Sequence, residues 1–132
     1  MMLADGTPSA TVWQQAVSVL PNTNYIFAGW AATSDAFNLP TLQFLINSVQ
    51  IGSDFHLATP AGTWQQFSNV WNSGGSTTAT LIIVDTQTTN FGNDFALDDL
   101  SFTATVPEPE PTILVSIGFV ATVLTNRRRQ RA

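Results

Sequence analysis

The chain of 132 residues contains no cysteine, and no lysine or arginine occurs before residue 127. Without cysteine there is no disulfide framework and no thiolate zinc site, so a small domain must rest on packing or on a bound ion. Residues 1–106 carry seven aspartates and no basic side chain apart from the single His56. Such a surface cannot neutralise phosphates, which excludes nucleic-acid binding.

Common catalytic motifs are also missing. His56 is the single histidine, and the two glutamates, Glu108 and Glu110, both lie among prolines near the C-terminus. No Gly-x-Ser-x-Gly, His-Glu-x-x-His, phosphate-loop or EF-hand pattern occurs. A glycosidase-type pair would have to come from aspartates facing each other across a cleft. The sequence therefore predicts a non-catalytic protein, with a hydrolase as the weakest alternative.

An alternation of apolar and polar residues runs through most of the chain before residue 106. This period of two, interrupted by Gly, Pro, Asn and Ser turns, is typical of half-buried strands. No apolar pattern with the spacing of an amphipathic helix occurs in this part of the sequence. The sequence predicts an all-β fold over residues 1–105, an antiparallel sandwich of jelly-roll type. The predicted strands are 11–19, 24–32, 42–46, 49–51, 63–71, 80–85 and 95–103.

The C-terminal segment has a different composition. Residues 112–125 are fourteen residues without a charge, and a basic cluster follows them. As a helix they would span about 21 Å, which is short for a bilayer core of about 30 Å. The segment therefore predicts one short transmembrane helix. Flanking arginines are retained on the cytoplasmic side, so the body should face outward. The cluster comprises Arg127, Arg128, Arg129 and Arg131.

A proline-rich spacer precedes this apolar segment. The three prolines Pro107, Pro109 and Pro111 disfavour helix and leave an extended, exposed peptide, and Glu108 lies between the first two. The order of Pro-Glu-Pro, apolar run and arginine cluster over residues 106–132 resembles the PEP-CTERM sorting signal of Gram-negative bacteria. That resemblance implies an inner-membrane precursor that the membrane enzyme exosortase processes, after which the body is released or attached at the cell surface. An uncleaved single-pass anchor is the alternative.

The body resembles galactose-binding-like sandwiches found in carbohydrate-binding modules. The resemblance implies a non-catalytic glycan-binding module of the extracellular polymer or biofilm matrix, with polysaccharide as partner. It also implies a structural calcium ion with Asp98 or Asp99 as a ligand, the remaining ligands coming from an opening segment not recognised here. The segments that carry it are Val12-Trp13-Gln14-Gln15, residues 21–30, Gly62-Thr63-Trp64-Gln65-Gln66-Phe67 and Ala96-Leu97-Asp98-Asp99-Leu100-Ser101-Phe102.

The start of the chain fits neither resemblance. Met1 to Gly6 is not a signal peptide, and no opening strand is recognised before Thr11. We therefore expect that the start was assigned downstream of the true one and that the opening strands are missing.

Aromatic side chains are the natural platforms for a sugar. Trp13 and Trp64, at alternating strand positions, are expected in the core, and no single binding residue can be assigned from sequence. A structural or adhesive surface protein without a sugar site remains the alternative function. The candidate platforms are Tyr25, Trp30, Phe37, Trp71 and Phe91.

Overall fold

The fold is taken from a computed structural model that describes residues 1–7, 9–89 and 91–106. The predicted sorting motif, apolar segment and arginine cluster lie outside these ranges. Within them no helix is long and apolar enough to cross a membrane. The strands of the described ranges are β1 (Met2–Ala4), β2 (Ala10–Ser18), β3 (Asn24–Thr33), β4 (Thr41–Ile46), β5 (Val49–Gln50), β6 (Phe55–His56), β7 (Gln65–Asn72), β8 (Thr78–Asp85) and β9 (Phe95–Ala104).

These strands form two sheets in which every pairing is antiparallel. The four-stranded sheet has the order β1-β9-β3-β7, and the five-stranded sheet has the order β2-β8-β4-β5 with β6 also paired to β4. The predicted all-β antiparallel sandwich is therefore confirmed. A tight hairpin joins β4 to β5 at Asn47-Ser48, and both residues have positive φ.

The core lies between the two sheets and is rich in phenylalanine. Phe44 of the five-stranded sheet stacks on Phe67 of the other sheet with ring centroids 3.6 Å apart. Phe27 meets both rings edge-on, at 5.9 and 5.6 Å. Edge-on contacts of this kind are favoured between aromatic rings. Within β3, Phe27 points into this core while Trp30 points outward.

The segment before Thr11 contributes a strand that sequence reasoning did not expect. Met2 and Ala4 pair with Leu97 and Phe95 at the start of β9. The strand is too short to show an alternation in the sequence, and its place in the sheet comes from its partner. It brings the N-terminus next to the middle of β9.

A β-bulge interrupts the pairing of β9 with β3. Ala28 lies opposite Ser101 and Trp30 opposite Asp98, so two residues of β9 face the single Gly29. The first of them, Asp99, has φ of 49°, a left-handed conformation that Asp tolerates better than most residues. A bulge of this kind redirects side chains and lies often beside functional sites.

Candidate functional site

A shallow depression lies on the outward face of the four-stranded sheet. It has a volume of about 210 Å³ and is lined by Trp30, Trp64, Asp98 and Asp99. The two tryptophans are 38% and 39% exposed, an unusual state for so large an apolar side chain. We call this depression the tryptophan site.

Regular strand geometry and one loop place the two indole rings. Trp30 projects outward from β3, between its partners Gln66 of β7 and Asp98 of β9. Trp64 directly precedes β7 and follows a loop that is fixed to the end of β3, where the Gly62 amide donates to the Thr33 carbonyl at 2.8 Å. Because residues two apart point to the same side of a strand, Trp64 shares the face of Gln66.

The bulge in β9 supplies the carboxylates of the tryptophan site. In a regular strand Asp98 and Asp99 would point to opposite faces, yet here both line the same depression. Asp98 Oδ1 accepts a hydrogen bond from the Asp99 amide at 3.0 Å and lies 2.9 Å from the α-ammonium nitrogen of Met1. The ammonium hydrogen bond, and then the Asp99 amide, hold the pKa of Asp98 below its ordinary value.

Two other depressions of similar size lie among the described residues. One, of about 230 Å³, opens into the gap between the sheets and is lined largely by partly buried core side chains such as Trp13 and Phe102. The other, of about 210 Å³, lies beside Phe44 and Phe55. Neither presents two exposed aromatic rings together with charged groups. The tryptophan site is therefore the stronger candidate for a polar, ring-shaped ligand.

The predicted aromatic platforms divide into three groups. Trp30 is in the site. Tyr25 stacks on Phe102 at 4.8 Å, and Trp71 packs against the same ring at 6.2 Å, so both belong to the packed end of the core. The exposed side chains of Phe37 and Phe91 lie on two neighbouring loops and do not line the site. The two loops are joined where Asn38 Nδ2 donates to the Phe91 carbonyl at 2.7 Å.

The expectation that Trp64 is a core residue is wrong. Trp13 does pack against the core, with its ring 6.2 Å from Phe27, but Trp64 is exposed. The sequence contained a signal for this difference. Trp64 is an odd number of residues from both Phe67 and Trp71, so a strand that buries Phe67 and Trp71 must turn Trp64 outward.

The predicted calcium ligands Asp98 and Asp99 lie together, but no cluster of three metal-ligating side chains is found in the described ranges. Asp94, close in sequence, uses its Oδ1 to accept the Gly6 amide at 3.1 Å. Calcium takes six to eight oxygen ligands, and these side chains alone do not supply them. The calcium role of Asp98 and Asp99 stays a prediction.

The two carboxylates of the tryptophan site do not have the arrangement of a glycosidase acid pair. Asp98 and Asp99 are consecutive residues of one strand, whereas a glycosidase acid pair flanks the bond to be cut. The general acid of such a pair needs a raised pKa, and the pKa of Asp98 is lowered. Burial does raise the pKa of Asp85. However, that side chain is fully buried at the end of β8, lines none of the depressions described above, and accepts hydrogen bonds from Asn93 and from the Gln87 amide.

Comparison with solved structures shows which known folds this chain is similar to. The C-terminal domain of EclA, described as a sugar-binding protein, superposes with a TM-score of 0.69 at 16% identity, over 77% of this chain and 76% of that one. The xylan-binding CBM22-1 domain of Xyn10C from Paenibacillus barcinonensis gives 0.53 at 11% identity, over 70% of this chain and 65% of that one.

A CBM4 structure gives a TM-score of 0.51 at 11% identity, over 70% of this chain and 59% of that one. At identities this low, the three TM-scores above 0.5 show a shared fold alone. The predicted likeness to carbohydrate-binding modules is thereby confirmed for the sandwich. No family model and no curated protein matches the sequence.

Proposed function

We propose that this chain is a non-catalytic glycan-binding module. The observation that carries the proposal is the pair of exposed indole rings, Trp30 and Trp64, lining one depression with two hydrogen-bond-accepting carboxylates. Sugar rings have apolar C–H faces and polar edges. An exposed aromatic platform with a few fixed polar groups suits both. The sugar-binding and xylan-binding proteins that share the fold support the proposal.

One ring of the platform lies on a central strand, and the other directly precedes a strand of the same sheet. Trp30 lies in β3, the strand bonded to both β7 and β9. A receptor whose side chains are already ordered loses little conformational entropy when it binds. We therefore expect the rings to keep their positions when a glycan is bound.

We further propose that residues 106–132 sort this module to the cell exterior through exosortase. The support is the order of sequence features alone: Pro107-Glu108-Pro109, the uncharged run 112–125 and the arginines at 127–131. The precursor would be held in the inner membrane with its body outside the cytoplasm. After processing, the module would reside at the surface or in the polysaccharide matrix.

Binding is tested by tryptophan removal. The wild-type protein is screened on a glycan array, and the best ligands are measured by affinity electrophoresis or calorimetry against W30A and W64A. An aromatic contact worth about 0.5–1.5 kcal/mol predicts an affinity loss of about twofold to twelvefold for each substitution. F37A and F91A are matched controls, because they also remove exposed aromatic rings, and both should bind normally.

Two results would contradict the glycan proposal. The first is that the wild-type protein retains no glycan, and the second is that wild type and the W30A/W64A double variant bind the same glycan with equal affinity. Either would favour the structural or adhesive alternative. The sorting proposal has a separate test in mass spectrometry of the mature protein from its native host. Loss of everything after about residue 107 is expected, and an intact terminal Ala132 would favour an uncleaved anchor.

A further inference from the structure

One edge of the four-stranded sheet is paired over only part of its length. On one side β9 pairs with β3 from its first residue to its last, across the bulge, but on the other side it meets β1 only at residues 95–97. Residues 98–104 of β9 therefore have no neighbouring strand on that side among the described residues. A free strand edge exposes backbone N–H and C=O groups that readily pair with a further strand.

The direction of the backbone groups shows which amides lie on this free edge. The Thr105 amide, directly after β9, donates to the carbonyl of Asn24 at the start of β3, at 2.8 Å. Successive amides of an extended strand point alternately to its two sides. The Thr103 amide therefore points toward β3, whereas the amides of Phe102 and Ala104 point away from β3 and lie on the free edge.

An apolar cavity lies beside this free edge. It has a volume of about 230 Å³ and opens between the two sheets, with Leu100 and Phe102 of β9 on one side and Trp13 and Val17 of β2 on the other. All four side chains pack against the core but are only partly buried. Because β2 is itself the edge of its sheet, no strand of the described ranges closes the sandwich here. We call this cavity and the free edge of β9 the open flank.

The short strand β1 points toward the open flank. It runs antiparallel to β9, with Met2 opposite Leu97. A strand that continued β1 in the N-terminal direction would therefore pass along residues 98–104. Met2 and Ala4 pack against the core, whereas Leu3 is exposed. Continued alternation would turn every second side chain of such a strand toward the core.

We propose that the native protein carries a strand directly before residue 1, which extends β1 along the free edge of β9 and closes the open flank. Its backbone carbonyls accept hydrogen bonds from the amides of Phe102 and Ala104. Its apolar side chains, at every second position, pack against Trp13 and Leu100. The occupant is a segment of the same polypeptide, because continuity with β1 holds it at this edge. A strand from a second copy would lose translational and rotational freedom on docking.

Hydrogen exchange followed by NMR tests this assignment on two proteins. One is the chain of residues 1–132, and the other also carries the residues that precede residue 1 in the native gene. In the shorter chain the amides of Phe102 and Ala104 should exchange rapidly, while that of Thr103 is protected. In the longer chain both should exchange at least about tenfold more slowly. The amides of β7 that face away from β3 are the control, because they lie at the opposite edge of the same sheet and should exchange rapidly in both proteins.

A variant of the longer chain assigns the protection to the added strand. Proline at two alternate positions of the added segment removes its backbone donors and disfavours pairing within a sheet. This variant should return the amides of Phe102 and Ala104 to the rapid exchange of the shorter chain. The body of the protein is unaltered by these substitutions, so its remaining amides should keep their protection.

Four results would overturn the proposal. The mature protein from the native host has its N-terminus at residue 1 or later. The two amides exchange equally fast in both proteins, or they are already protected in the shorter chain. Their protection in the longer chain survives the two prolines. Their protection rises with protein concentration, which would assign the strand to a second copy. Protection that appears only in the longer chain, is independent of concentration and is lost with the prolines supports the proposal.

Discussion

The left-handed conformation of Asp99 predicts that, at this position, glycine is more stable than valine, the reverse of their usual order in a strand. At an ordinary strand position valine is favoured over glycine by about 1 kcal/mol. Asp99 has φ of 49°, where a side chain with a Cβ costs about 1–2 kcal/mol and a β-branched one is a clear outlier. We therefore expect D99G to be more stable than D99V by about 1–2 kcal/mol.

Urea unfolding followed by tryptophan fluorescence would measure the difference. T103G and T103V provide the control, because Thr103 is an exposed residue of the same strand, paired with Ile26, and has no positive φ. There T103V should be the more stable variant. If valine exceeds glycine at both positions, β9 runs without the bulge, and the account of how Asp98 and Asp99 reach one face fails.

Three further predictions concern packing, pH and calcium. G29A should lower the free energy of unfolding by about 1–3 kcal/mol, because the added Cβ would lie 2.7 Å from Leu100 Cδ2 and 2.9 Å from Phe67 Cζ. A urea unfolding curve equal to that of wild type would contradict this close packing. Burial raises the pKa of Asp85 from its ordinary 3.8, so the carboxyl ionises at lower pH in the unfolded chain than in the folded one. The free energy of unfolding should therefore fall as pH rises from about 3.8 through the folded pKa, and D85N should remove this part of the decrease. Calcium should raise the unfolding temperature of wild type and not of D98N/D99N, and an unchanged wild-type temperature would exclude the predicted ion.

The fold could be predicted from the sequence because its strands are buried on one side. Alternation in β3 turns Phe27 inward and Trp30 outward, and the structure agrees. The short strand Met2–Ala4 could not be predicted in the same way. Three residues carry too little pattern, and its place depends on pairing with β9, more than ninety residues away.

The candidate site was only partly visible in the sequence. Trp30 was one of several platforms, and Asp98 and Asp99 were singled out for calcium. Their common surface depends on the bulge, and sequence alternation gives no sign of an extra residue opposite Gly29. The alternating strand pattern favours a core position for Trp64, although its strand parity with Phe67 indicates the outward face.

The small volume of the tryptophan site limits how firmly one copy can hold a polymer. At about 210 Å³ it is smaller than the pockets of roughly 300–1,000 Å³ that enclose drug-sized ligands. If the proposed glycan binding holds, one copy would contact a short stretch of polymer and release it quickly. Durable attachment would come from many copies held on one surface, where each bound copy raises the effective concentration of the polymer for the next. A matrix joined in this way would yield under slow stress and re-form, as a reversible network does.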